Sequence, residues 1–201
     1  MISKAEGSFL LRRIHSLTGI VPIGGFLLFH FFENASAKRG PEAFNKTVEK
    51  ISEMPYLFAM EMGLLLLPII FHSVYGLFIT ASSKPNLVNN SYSRNWAYFM
   101  QRLTGIIGFG YLTYHILSTR VWALLVKGSH ITFADMQMKL SDPMIFAVYM
   151  VGIAAITFHF ANGIWSFSIT WGLVKTAEGQ KRLSYLTMGL FAVLCVIGWD
   201  I

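Results

Sequence analysis

Five long, mostly apolar runs take up most of this 201-residue chain, roughly 14–32, 56–81, 96–126, 143–174 and 183–201. A helix needs about 20 apolar residues to cross the hydrocarbon core of a bilayer. Backbone polar groups have no water to bond with there, so only helices and closed barrels span it. The predicted fold class is all-α: a polytopic membrane protein with five transmembrane helices in one bundle, forming a single domain over 1–201. The composition fits, with 54% hydrophobic and only 13% charged residues. The connections are too short to hold a soluble catalytic domain, so water-soluble chemistry must come from partner chains.

The formal net charge is +6. In a chain of this kind that excess does not point to nucleic acid, because basic residues beside apolar spans set orientation. With the N-terminus inside, the inner face holds Lys4, Arg12, Arg13, Lys84, Arg94, Arg102, Lys175, Lys181 and Arg182, leaving seven of the 16 Lys and Arg residues outside. The outer connections are longer and carry most of the acids. The expected orientation is N-inside and C-outside. The basic head leads straight into the first span with no small-residue cleavage pattern, so it is not read as a signal peptide. The single cysteine, Cys195, excludes an internal disulfide, a Cys-ligated iron–sulfur cluster and covalent C-x-x-C-H haem attachment.

Five histidines lie inside these runs; His15 stands at the very start of the first, and the other four, His30, His72, His115 and His159, are each costly there unless something binds them. Two sit in one motif: Phe71-His72-Ser73-Val74-Tyr75-Gly76-Leu77-Phe78 and Phe158-His159-Phe160-Ala161-Asn162-Gly163-Ile164-Trp165. The glycine four residues on shares the histidine's helix face and removes a side chain where a flat, bulky ligand would press. That combination points to haem held by histidine nitrogen. The motif belongs to a larger repeat. Leu17-Thr18-Gly19-Ile20 precedes His30, and Leu103-Thr104-Gly105-Ile106 precedes His115. His30 and His115 are 85 residues apart, His72 and His159 87 apart.

Depth predicts how the four pair. His30 lies three residues before Glu33 and His115 five before Arg120, so both sit within about 10 Å of the outer boundary at about 1.5 Å per residue. His72 follows Pro55 by 17 residues and His159 follows Asp142 by 17, about 25 Å from the outer side by the same rise. The expected pairs are His30 with His115 and His72 with His159, each gripping one haem iron from both sides.

Other readings stay open from the residues alone. A histidine in a span also serves as a proton relay, a substrate contact or a packing residue, which is the pattern of a haem-free proton-coupled transporter. His15 follows Arg12 and Arg13; it is either structural or part of a cationic cluster facing haem propionates. Arg13, Arg102 and Lys84 are candidates for that propionate role by charge-assisted bonds, with topology setting as the alternative. Gly19, Gly105, Gly76 and Gly163 are candidate haem-packing positions. Glu61 falls inside a span and either serves quinone and proton exchange or snorkels to the interface. His130 lies in a polar loop and reads as solvated. Residues 34–55 read as a polar connection with a short helix over 41–51, and 127–142 as a connection.

Together these residues resemble a known family, the cytochrome b membrane subunits of succinate dehydrogenase and fumarate reductase, in the type with one five-span chain and two haems. The resemblance rests on Arg12-Arg13-Ile14-His15-Ser16-Leu17, Phe29-His30, His72-Ser73-Val74-Tyr75-Gly76, Ser93-Arg94-Asn95-Trp96, Gln101-Arg102-Leu103-Thr104-Gly105 and His159-Phe160-Ala161-Asn162-Gly163-Ile164-Trp165-Ser166. It implies two haem b groups on His30, His115 (outer) and His72, His159 (inner). It also implies an iron–sulfur subunit and a flavoprotein subunit on the cytoplasmic face of a bacterial cytoplasmic membrane, lipid around the spans, and a quinone partner, menaquinone in this type. A dimer of the whole complex is compatible with it. Some fumarate-reducing members carry a glutamate two positions before the fourth-span histidine, linked to proton movement. Here that position is Thr157, a departure that favours succinate oxidation. The alternative within electron transfer is the cytochrome b anchor of a hydrogenase, formate dehydrogenase or nitrate reductase, whose motif spacing differs.

Overall fold

The computed structural model describes residues 4–201 apart from Pro85 and Val88, with side chains from Ser8 onward. The side chain of Lys4, one of the inner-face cations named above, lies outside the described residues.

Proline positions shape the first two rods. α1 (Lys4–Thr18) runs through a π-helical turn, Gly19–Gly24, into α2 (Gly25–Asn34). Pro22 sits inside that turn. A proline has no N–H to donate and crowds the carbonyl four residues back, and the wider turn accommodates both. A 3-10 segment, Ala35–Arg39, and α3 (Pro41–Ser52) follow. The second rod has the same construction: α4 (Leu57–Met60), a π segment Glu61–Leu66, then α5 (Leu67–Ala81) with Pro68 in its first turn. α6 (Ser93–Ile116) continues through π turns to residue 127. After α7 (Phe133–Leu140) come α8 (Pro143–Thr170) and α9 (Ala177–Asp200).

Among the described residues, four helical stretches are long and apolar enough to cross a membrane: Ser8–Arg39, Leu57–Ala81, Pro143–Thr170 and Ala177–Asp200. The rod over 93–127 has the length but is less apolar, since it carries Gln101, Arg102, Thr104, Thr113, His115 and Arg120. Three expected boundaries shift. The first rod begins at Lys4, before the expected 14. The fourth ends at Thr170, not 174, because Gly172 turns left-handed (φ 72°) and the amides of Leu173 and Val174 return to the Ser168 carbonyl. The fifth starts at Ala177 because Thr176 caps it, its hydroxyl accepting from the Gly179 amide.

One helix in a stretch read as a connection was missed. Thr132 and Asp135 form a capping box that starts α7, each side chain bonding an amide that the first turn leaves free. Phe133 packs edge-on against Phe44 of α3, and its amide donates to Asn45 Oδ1 at 2.8 Å. Desolvation raises the Asp135 carboxyl, but the Lys127 ammonium and the hydroxyl and amide of Thr132 outweigh it and hold the pKa at about 2.

Packing follows the repeat. α1 lies on α5, α6 on α8, and α9 mainly on α8. α8 is the most enclosed rod, burying Gly152, Ala155, Thr157, Ala161 and Asn162. Small residues let neighbouring backbones close in, and this is how membrane helices gain contact without a hydrophobic driving force. Large apolar side chains such as Phe32, Leu125 and Leu186 point outward.

Candidate haem-binding site

A cavity of about 1580 Å³ runs through the bundle, and His30, His72, His115 and His159 all line it. Single small-molecule sites occupy about 300–1,000 Å³, so this space suits more than one ligand. The rings of His30 and His115 stand 5.8 Å apart, centre to centre, at 78°. Those of His72 and His159 stand 6.1 Å apart at 86°. A metal–imidazole bond of about 2 Å, with about 1.2 Å from nitrogen to ring centre, puts two imidazoles on opposite sides of one metal about 6.4 Å apart. Both pairs are close to that spacing.

The Nδ1 atoms strengthen the fit. His72 Nδ1 donates to the His15 carbonyl at 2.9 Å, and His159 Nδ1 to the Gln101 carbonyl at 3.0 Å. His115 Nδ1 lies 3.2 Å from the Tyr149 hydroxyl, and His30 Nδ1 2.9 Å from Glu33 Oε1. A metal-ligating histidine characteristically spends its second ring nitrogen in this way, which fixes its orientation and raises its basicity. In His72, His115 and His159 no hydrogen bond among the described residues takes up Nε2, whereas Asn34 Nδ2 lies 3.4 Å from His30 Nε2.

The repeat explains the inner pair. His15 and Gln101 occupy equivalent places, each four residues before the glycine of Leu-Thr-Gly-Ile. A Cβ on Gly19 would stand 2.5 Å from His72 Cε1, and one on Gly105 3.0 Å from His159 Cε1. These glycines let each imidazole reach a carbonyl on the facing helix. Gly76 and Gly163, expected to clear space for a flat ligand, also clear space for residues 15 and 101. Their absent Cβ atoms face His15 Nε2 at 3.1 Å and Gln101 Nε2 at 3.7 Å. All four glycines also line the cavity. The sequence motifs therefore interlock: each glycine makes room for a side chain of the opposite motif.

The remaining candidates divide. His15 stacks face to face on His72, centres 4.1 Å apart at 8°. Arg13 and Arg102 line the cavity, Arg13 against the Phe9 and Trp171 rings and Arg102 over the Tyr98 ring. The buried Nε of Arg102 has no partner among the described residues, an orphan that suits an acidic ligand group. Arg94, which the sequence reading did not assign to the site, lines the same cavity. Lys84 is exposed and outside the cavity lining. Glu61 lines the cavity and pairs with Arg120 at 2.8 Å. Sequence reasoning also missed Asn162 and Tyr149. Asn162 lies three residues after His159, which was the available signal; nothing local marks Tyr149.

Residues 85–198 match the family described as the succinate dehydrogenase/fumarate reductase transmembrane subunit. The chain is also 40% identical over 190 residues to the succinate dehydrogenase cytochrome b558 subunit of Bacillus subtilis (strain 168), covering 94% of this chain and 93% of that protein.

Proposed function

This chain belongs to the family of succinate dehydrogenase/fumarate reductase transmembrane subunits, and from that premise we propose that it is a five-span, dihaem cytochrome b anchor carrying electrons between an iron–sulfur subunit and menaquinone. As a member it is an electron-transfer subunit and has no catalytic reaction of its own. Membership sets aside the hydrogenase, formate dehydrogenase and nitrate reductase anchors.

The observation that carries the reading is the two facing histidine pairs, each ring with Nδ1 engaged. His15 lies 15 residues from His30 along the first rod and touches His72, so the two levels are separated by about 22 Å of helix rise. The rod over 93–127 is the remaining span; Gln101, Arg102, Thr104, His115 and Arg120 line the cavity, while Thr113 is exposed. When bound, haem b supplies a one-electron carrier at each level. His72 and His159 would hold the inner one, on the side of the cytoplasm and the iron–sulfur subunit, and His30 and His115 would hold the outer one. Arg13, Arg102 and Arg94 offer guanidinium groups to propionates. Glu61, fixed by Arg120, holds a carboxylate at the outer end, where a quinone exchanges protons. A flavoprotein subunit carries the succinate site. The N-terminus faces the cytoplasm of a bacterium.

Succinate oxidation is the working direction we infer. Thr157 is fully buried, and its hydroxyl donates to the Ile153 carbonyl at 2.7 Å, so it offers no carboxyl for a proton route. Moving an electron outward across 100 mV contributes about 2.3 kcal/mol, which helps succinate reduce a low-potential quinone. An uncoupler then collapses succinate-to-quinone activity in intact cells; insensitivity counts against the direction.

The test of the site is a reduced-minus-oxidised spectrum of the purified complex with extracted haem counted per chain. Two b-type haems are expected, one lost in His30→Ala and the other in His72→Ala. A colourless protein overturns the reading and returns the histidines to proton relay or packing.

A further inference from the structure

We propose that Gln101, locked by Asn162, is a positioning residue that sets the plane of the His159 imidazole and through it the electronic character of the inner haem. This rests on the dihaem reading above.

The geometry is a two-way clasp between α6 and α8. His159 Nδ1 donates to the backbone carbonyl of Gln101 at 3.0 Å. The Gln101 side chain answers, Nε2 donating to the backbone carbonyl of His159 at 3.1 Å. Its other end is also held, because Asn162 Nδ2 donates to Gln101 Oε1 at 2.7 Å. Asn162 is 5% exposed, so it has no water to turn to. The amide of Gln101 therefore has one arrangement that satisfies both its ends, and reversing it breaks two bonds.

Position follows from this. Nδ1 and Nε2 both lie in the imidazole plane, so the direction of the carbonyl that Nδ1 meets fixes the rotation of the ring about the Nε2–metal axis. That carbonyl belongs to Gln101, and the Gln101 side chain pins its backbone to that of His159. Gly105 leaves the ring free to turn into place, with His159 Cε1 only 3.0 Å from where a Cβ would stand. The result is an 86° angle between the planes of His159 and His72. Perpendicular axial imidazoles split the iron d orbitals weakly and give a highly anisotropic low-spin ferric signal; rotation toward parallel reduces the anisotropy. A positioning residue here therefore leaves a spectroscopic mark that a packing residue does not.

The experiment uses the whole purified complex. Haem content, the electron paramagnetic resonance of the oxidised haems and their midpoint potentials are measured in the wild type, in Gln101→Met, which keeps the bulk but loses the amide, and in Asn162→Ala, which frees the amide. His72→Ala identifies the inner signal. Expected in both variants are two haems per chain, a smaller largest g value and a shifted potential for the inner haem, and an unchanged outer haem. An inner signal that stays at its wild-type position in a fully loaded Asn162→Ala complex overturns the proposal, as does an equal shift of both haems. If Gln101→Met fails to assemble, Asn162→Ala decides alone. A wild-type complex without an inner haem refutes the dihaem reading, and a loaded wild type with unmoved variants refutes only the role of Gln101.

Discussion

In the first half of the repeat, the carbonyl that receives the inner histidine belongs to His15, whose ring lies flat on His72 at 4.1 Å. In the second half it belongs to Gln101, whose amide reaches back to His159 and is tied to Asn162. The backbone solution is the same in both halves: a carbonyl four residues before a glycine, with the glycine clearing the ring. Only the side chain that steadies it differs, an aromatic stack in one and a hydrogen-bonded clasp in the other. A repeat therefore keeps what the backbone must do and leaves free what several side chains can do.

The strongest way to break the comparison is to remove the histidines proposed as inner haem ligands. His72→Ala and His159→Ala are each expected to abolish the inner haem entirely, halving the haem extracted per chain while the outer one stays. Retention of inner haem in either variant would mean that its half is dispensable. Next come the clearing glycines. An added methyl meets His72 at 2.5 Å in Gly19→Ala but His159 at 3.0 Å in Gly105→Ala. Overpacking costs about 1–3 kcal/mol. Gly19→Ala is expected to lose most of the inner haem, and Gly105→Ala to keep it with a shifted spectrum. The reverse order, read by haem content, would sink the geometric account.

Gly24 and Gly110 occupy equivalent positions 86 residues apart and sharpen the comparison at smaller scale. A Cβ at Gly24 runs into the Phe160 ring, whereas Gly110 has nothing within 4 Å. Gly24→Ala should destabilise the complex by about 1–3 kcal/mol, while Gly110→Ala should be neutral or gain up to about 1 kcal/mol from helix propensity. Thermal denaturation of the two variants checks this. The smallest effect concerns the α7 cap, which the first half lacks. The pKa of Asp135 is depressed to about 2 from its ordinary 3.8, so its contribution is complete above that ordinary value and is lost as pH falls toward 2. Asp135→Asn should flatten the acid dependence of stability in that window and leave pH 6–8 behaviour unchanged; an unaltered acid limb would remove Asp135 from the account.

Much of this was legible beforehand. Counting residues from span ends put His30 level with His115 and His72 level with His159, and the structure brings those rings within 6.1 Å. The repeat was visible because Leu-Thr-Gly-Ile and the histidine-to-glycine motif recur at nearly one offset. The neighbours of the glycines were not legible. The glycines were read as facing a ligand, whereas a Cβ at Gly76 meets His15 and one at Gly19 meets His72, since sequence spacing names a helix face but not what packs on it. α7 escaped because eight residues carry little periodicity, and its start depends on a capping box and on Phe44 from a distant helix. Lys84 was grouped with the cavity cations by charge alone and lies outside the lining.

The long helices, their order and the position of each histidine along its helix were determined by the sequence itself. They follow from local terms: the hydrogen bonding every buried backbone group requires, the rise of about 1.5 Å per residue and the cost of polar groups in lipid. Which carbonyl meets which imidazole, why His15 lies on His72, and how Gln101 and Asn162 close on His159 were decided only by the tertiary structure. These contacts depend on how closely and at what rotation two helices pack. That is set by small residues acting together across the interface, a property that neither helix carries alone.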